Sequence, residues 1–219
     1  MSKKFIVIGF SRRESPELTN NKCYHHIQVD ITNYEETNKK LLNILSPNIS
    51  IDLLILNAGI LGNIEKMNLI DSKSSKDVLE INLWANKNII DFIINYKAKI
   101  RQVVAISSGA SVNGSAGWGP YSISKAALNM LISTYSKENT NIHFSSIAPG
   151  LVDTAMQEYI SKLKNKSNFD SINSIQSAKG TKDMPNAEII SEPIANLIID
   201  IYKEKESGVF FDIRKYYNR

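Results

Sequence analysis

Ile51-Asp-Leu-Leu-Ile-Leu56, followed at once by Asn57-Ala-Gly59, decides the fold. The run does not alternate apolar with polar residues, as a strand wetted on one face does. A near-continuous apolar segment is what a parallel strand buried on both faces requires. It stops at Asn and Gly, residues that turn the chain readily. Outward from it, similar short runs recur at 5–10, 26–30, 100–107, 141–147 and 208–213, the first run itself covering 51–57. Between them, residues 34–45, 74–97, 120–138 and 187–205 have helical length and spacing. This alternation predicts an α/β fold with a doubly wound, mostly parallel sheet of about six strands. Ligands of such sheets bind beyond the carboxyl ends of the strands. Asp30, Asn57-Ala-Gly59, Ser108 and Pro149-Gly150 each end or follow a predicted strand. No repeat or linker divides the chain, so a single domain over 1–219 is expected. The Ser-, Asn- and Lys-rich stretch 156–185 reads as a mobile lid, within a substrate flap expected at 151–190.

Composition narrows the function. With 42% hydrophobic and 22% charged residues, the 219-residue chain can bury a sizeable core. The net charge of +4 comes from scattered lysines. Lys162-Leu-Lys-Asn-Lys166 reads as a solvated helix face, so no nucleic-acid partner is expected. A mildly basic surface favours an anionic cofactor. Cys23 stands alone, which excludes a disulfide framework and suits a reducing, cytoplasmic setting. His25, His26 and His143 lack metal-ligand spacing, so no metal site is expected. The apolar run 5–10 is too short for a signal core or a membrane span.

The chemistry centres on Tyr121-Ser-Ile-Ser-Lys125, with Ser108 upstream in Ile106-Ser-Ser-Gly109. Residues four apart on a helix lie one above the other, with Cβ atoms roughly 5–6 Å apart. A tyrosine titrates near 10 in water and is a poor neutral-pH acid. An ammonium about 5 Å away, at an effective dielectric of about 20, favours the phenolate by roughly 3 kcal/mol. A lowered phenol pKa is therefore expected at Tyr121, in the range useful to acid–base catalysis. Pro120 fixes the helix start, which puts Tyr121 in the first turn. Ser108, after a buried strand, can donate to a carbonyl oxygen held against that phenol. Asn82, in Ile81-Asn-Leu83 on an otherwise apolar helix, either finds a buried partner or sits on the wet face.

Taken in order, Asn57-Ala-Gly59, Asn82, Ser108, Tyr121-xxx-Lys125 and Pro149-Gly-Leu-Val-Asp-Thr154 resemble the motif series of the short-chain dehydrogenase/reductase family. The longer strings Ser107-Ser-Gly-Ala-Ser-Val-Asn113, Gly117-Trp118 and Val152-Asp-Thr-Ala-Met-Gln157 are most similar to its benzil reductase and sepiapterin reductase branch. The resemblance runs from about Asp30 to the C-terminus. It implies a Rossmann-like fold, a homodimer or homotetramer, and NAD(P)-dependent reduction of a small carbonyl or diketone compound. Tyr121 would be the acid, Lys125 would lower its pKa and hold the nicotinamide ribose, and Ser108 would orient the carbonyl. Asn82 would hold a water in a proton relay to Lys125. Pro149, Gly150, Val152 and Thr154 would line the nicotinamide end of the cofactor. Asp30 and Ile31 would flank its adenine, and Asn57, Ala58 and Gly59 its central part. Trp118, Met156 and Tyr159 would border the substrate pocket.

The chain departs from that family at its N-terminal βαβ unit. The TGxxxGxG turn, whose glycines let backbone N–H groups approach a pyrophosphate, is missing. Gly9-Phe-Ser-Arg-Arg13 can be read as an eroded glycine turn, or residues 7–18 as the family's second strand and the loop after it. Because buried sheet edges left unpaired are costly, residues 5–10 are expected in the central slot between 51–57 and 26–30. On the second-strand register Arg12 suits a 2′-phosphate through its bidentate fork, so NADP is the expected cofactor ahead of NAD. The missing turn also leaves open a catalytically silent relative that binds dinucleotide weakly or not at all and acts through protein contacts. An internal deletion from a complete enzyme is a third origin for the same pattern.

Overall fold

The structure is a computed structural model that describes residues 5–45, 49–163 and 169–217. Its strands are β1 (Val7–Ser11), β2 (Tyr24–Gln28), β3 (Ser50–Leu56), β4 (Lys99–Ile106), β5 (His143–Ala148) and β6 (Val209–Asp212). Its α-helices are α1 (Tyr34–Ile44), α2 (Ser72–Leu79), α3 (Ala85–Asn95), α4 (Gly119–Glu138), α5 (Ala155–Ser161), α6 (Asp170–Ala178), α7 (Ala187–Glu204) and α8 (Ile213–Tyr217). All strand pairs are parallel, so every connection crosses over, and most do so through helices. The result is an α/β fold with a parallel sheet between helical layers.

Both sides of the central strands β4 and β5 are buried, through the alternation of side chains along them. On one face Val103, Ala105, Leu54 and Leu56 join Ile89, Ile90 and Ile93 of α3 and Leu128 and Ile132 of α4. On the other, Val104 and Ile147 pack on Leu197, Ile198 and Ile201 of α7. Local signals place the helix ends. Asn33 caps α1 by accepting from the Glu36 N–H, Asp71 caps α2 through Ser74, and Asn186 caps α7 through Ile189.

Among the described residues the strand count of six agrees with expectation, but the pairing does not. There the sheet is in two pieces: β1 pairs with β2 alone, while β3-β4-β5-β6 form a four-stranded set. β1 is beside β2, as expected, yet makes no ladder with β3. Two anchors hold it there. Its full length is in register with β2, and Phe10 packs into the core cluster that also holds Val29 and Leu54. Moving one strand spacing, about 4.8 Å, toward β3 would break both.

Two further expectations are refined. The helix read over 74–97 is α2 and α3 joined by a π-helical turn, Glu80–Trp84. Of the stretch read as a mobile lid, the described residues on either side of 164–168 pack beside the site: Ile160, Phe169 and Ile172 are buried with Leu61, Ile64 and Trp118. Trp118 donates its indole N–H to Ser171 Oγ at 2.6 Å, and Asp153 and Asn186 bridge the two ends of the stretch.

Candidate active site

Helix α4 starts with Pro120 in its first positions, where a missing N–H removes no helical bond. Tyr121 and Lys125 then follow one turn apart on the buried side. The Lys125 ammonium lies 5.8 Å from the Tyr121 ring centroid. Lys125 is only 4% exposed, and its Nζ donates to the Ile106 carbonyl at the end of β4, 2.7 Å away. Burial pulls its pKa down from 10.5 to about 8.

Tyr121 differs from expectation. Burial raises its pKa from the ordinary tyrosine value, and the nearby Ser108 side chain only partly opposes this. The ammonium does not win, because the burial that brings it close also takes the phenolate out of water. Ser108 itself follows β4 in extended backbone and starts the turn Gly109–Ser111, its Oγ accepting from the Ala110 N–H at 3.1 Å.

Asn82 resolves to the buried alternative. It sits in the π turn, where the extra residue swings its amide into the core. No part of it is exposed. Its Oδ1 accepts from the Ile60 N–H at 2.7 Å, and its Nδ2 donates to the Ile60 carbonyl and to Ser124 Oγ, both at 2.9 Å. One amide thus ties the loop after β3 to helix α4. A Cβ at Gly59 would lie 3.3 Å from both Asn82 Oδ1 and Lys125 Nζ, so this glycine permits the close approach. Gly59, Asn82, Ser108, Tyr121 and Lys125 therefore form one constellation at the carboxyl ends of β3 and β4.

The other candidate residues are placed around it. Pro149 and Gly150 follow β5, with Gly150 at φ 78°, and Thr154 opens α5. Val152 is half-buried, Asn57 is exposed and Ala58 is half-buried. Met156 packs against the Trp118 cluster beside Tyr121, whereas Tyr159 is largely exposed. Asp30 and Ile31 follow β2; Ile31 is buried, and Thr32 hydrogen bonds hold the Asp30 carboxyl below its ordinary range. Arg12, exposed after β1, borders an open cleft of about 380 Å³ with Gln28, Val29, Asp30, Glu36 and Lys40. The lining of that cleft includes none of the Ser108–Tyr121–Lys125 group.

The Ser124 hydroxyl and the Ile106 carbonyl were not foreseen as parts of the site. Ser124 lies inside the quoted motif, three residues after Tyr121, so helical spacing could have found it. Nor was the Asp212–Arg214 pair, whose guanidinium donates Nε to Oδ1 at 2.9 Å and Nη2 to Oδ2 at 2.6 Å. It sits beside Gly109 and Gly150. Asp212 ends β6, the same strand-end position that singled out the other candidates.

The family profile described as short chain dehydrogenase matches residues 7–165. The chain belongs to the short-chain dehydrogenase family. A benzil reductase ((S)-benzoin forming) of Bacillus cereus is 29% identical over 214 residues, covering 90% of this chain and 86% of the relative. An uncharacterized oxidoreductase of Schizosaccharomyces pombe is 32% identical over 172 residues, 76% of this chain and 69% of the relative. A solved short chain dehydrogenase/reductase of Saccharomyces cerevisiae superposes with a TM-score of 0.82 at 25% identity, covering 95% of this chain and 85% of its own. The chain is thus an oxidoreductase of this family, in its benzil-reductase-like branch.

Proposed function

We propose that this chain reduces a small carbonyl or diketone compound with NADPH. The observation that carries the reading is the convergence of Ser108, Tyr121, Lys125 and Asn82 on one buried spot beside Gly59. Ser108 and Tyr121, whose side chains lie near enough for Ser108 to act on the phenol's pKa, are placed to hold a carbonyl oxygen between two hydroxyls. Tyr121 gives its proton to that oxygen as negative charge develops there. Lys125, with a pKa near 8 and one bond to Ile106, has N–H groups left for a ribose hydroxyl and for stabilising the phenolate that Tyr121 becomes as it gives up its proton. Asn82 acts here by fixing the loop at Ile60 against α4. A proton relay through it would use the space that its Oδ1 and Lys125 Nζ share beside Gly59.

The residues fit a dinucleotide at both ends. Arg12 offers a cation in the cleft beside Asp30, suited to a 2′-phosphate, and favours NADPH over NADH, while Lys40 there is paired with Glu36. Gly150, Val152 and Thr154, with Lys125, would hold the nicotinamide end. When bound, that group supplies the hydride. The middle of the site fits less well, since the described residues contain no glycine turn for a pyrophosphate. This favours a second reading, a silent relative that keeps the constellation without turnover. The soluble, cytoplasmic homo-oligomer expected of such an enzyme would use Trp84, Ile123 and Met130, which lie exposed on the π turn and α4. NADPH oxidation driven by benzil separates the readings. Tyr121→Phe should abolish it while NADPH affinity stays within about twofold. Turnover retained in that variant refutes the acid role, and none in the unaltered chain favours the silent relative.

A further inference from the structure

Ser108 stands on a short turn, and the chain on both sides of it is tied to the helix that carries Tyr121. Residues 121, 125 and 129 recur every four along α4 and so share one face of it. Lys125 donates to the Ile106 carbonyl, two residues before Ser108. Asn129, one helical turn further on, reaches Ser111, three residues after Ser108: its Nδ2 donates to Ser111 Oγ at 2.8 Å. Ser108 is held between these two ties.

Chemistry fixes the direction of the second tie. Ser111 Oγ passes its hydrogen to the Ser108 carbonyl at 2.6 Å, and a carbonyl can only accept. Ser111 Oγ must then accept from residue 129, so the amide nitrogen faces it. The Ser111 N–H donates to the same carbonyl at 3.0 Å, closing the turn Gly109–Ser111. Within the turn the Ala110 N–H donates to Ser108 Oγ at 3.1 Å. With that lone pair engaged, the Ser108 hydroxyl keeps its hydrogen for an oxygen held beside Tyr121. Packing alone does not ask for an amide at 129. Asn129 Oδ1 is buried and bonds no described residue. Burying a polar atom without a partner is costly, and leucine, of the same branched shape, would avoid the cost. What leucine could not do is donate to Ser111.

We propose that Asn129 is a positioning residue for the carbonyl reduction, setting through Ser111 where the Ser108 hydroxyl stands relative to Tyr121. Its effect on turnover rests on the proposed function, whereas its hold on the Ser108 turn does not. One helix then carries the acid and, two turns along, the group that fixes the partner hydroxyl. Without the second tie the turn keeps only its own backbone bonds, and the Ser108 hydroxyl samples positions from which it no longer meets the carbonyl oxygen.

The test compares the unaltered chain with Asn129→Leu, Asn129→Asp, Ser111→Ala and the Asn129→Leu/Ser111→Ala double variant. Amide exchange is read first, without nucleotide. The Ala110 and Ser111 amides should exchange about tenfold faster in each variant, while the urea midpoint of Asn129→Leu holds or rises. Asn129→Asp tests the polarity. Its carboxylate can only accept, so it draws the Ser111 hydrogen to itself and frees the Ser108 carbonyl. Benzil-driven NADPH oxidation is read next. In every variant kcat should fall about tenfold or more, with NADPH affinity within about twofold. The double variant should be no worse than the worse single one, because both changes break one chain of bonds. Unchanged exchange at Ala110 and Ser111 overturns the proposal whatever the turnover. So does full kcat in Asn129→Leu. A lower urea midpoint in that variant, with exchange faster throughout α4 and β4, assigns a merely structural role and overturns it too. Faster exchange confined to the turn in a chain that oxidises no NADPH with benzil leaves the hold on Ser108 standing and counts against the carbonyl reduction alone.

Discussion

Raising the pH should stabilise this protein before it destabilises it, and Lys125 is the cause. An unfolded lysine keeps its proton up to 10.5, whereas burial makes the folded Lys125 release it near 8. Between those values the unfolded state binds more protons, so the free energy of unfolding rises with pH. Two and a half pKa units at about 1.4 kcal/mol each set a ceiling of about 3 kcal/mol. From about pH 7 to about pH 9.5, roughly 2 kcal/mol of this is realised. The tyrosines act in the opposite sense. Burial raises Tyr34, Tyr121 and Tyr135, so ionisation of their unfolded forms near 10 withdraws stability at higher pH. The net gain by about pH 9.5 is then about 1.5 kcal/mol, or roughly 3–6 °C in Tm for a chain of this size. Urea unfolding from about pH 7 to about pH 9.5, with ΔG extrapolated to water, reads it directly. Lys125→Met should lose the rise and fall by about 0.5 kcal/mol over the same range, the tyrosine contribution alone. A stability that falls from pH 7, or the same rise in Lys125→Met, refutes the assignment to Lys125.

Other outcomes follow from single residues. Asn82→Ala strands the Ile60 N–H and carbonyl and the Ser124 hydroxyl, and should cost about 2–4 kcal/mol by urea unfolding. Faster exchange of the Ile60 amide in that variant would tie the loss to this loop; unchanged exchange would contradict the account. Arg12→Ala should weaken NADPH several-fold more than NADH in calorimetry, and equal losses remove it as the phosphate reader.

Much of the layout was legible because it depends on local pattern. The run 51–57 reads as a strand, and it is β3 (Ser50–Leu56), set in the core by Leu54 and Leu56 on one face. Leu53 and Ile55 on the other face are exposed rather than buried as expected. Tyr121 and Lys125 were placed by helical spacing alone, with Pro120 setting the start. What local pattern could not settle was pairing, which depends on neighbours far along the chain. The expectation that β1 would close the sheet came from the cost of open edges. It failed because β1 is held by a full ladder to β2 and by Phe10 in the core. The pKa of Tyr121 was misjudged for a related reason. Spacing gave the distance to the ammonium, but the depth of burial that reverses its effect is a property of the packed site. The π turn at Asn82 has no periodic signature either, since it is one inserted residue in a helix of ordinary composition.

The account stands most directly on whether a nicotinamide dinucleotide docks beside Tyr121. Calorimetric titration of the unaltered chain with NADPH reads this without any assumed substrate. The account predicts saturable one-to-one binding that weakens in Lys125→Met and in Arg12→Ala. No heat of binding at millimolar NADPH would contradict it.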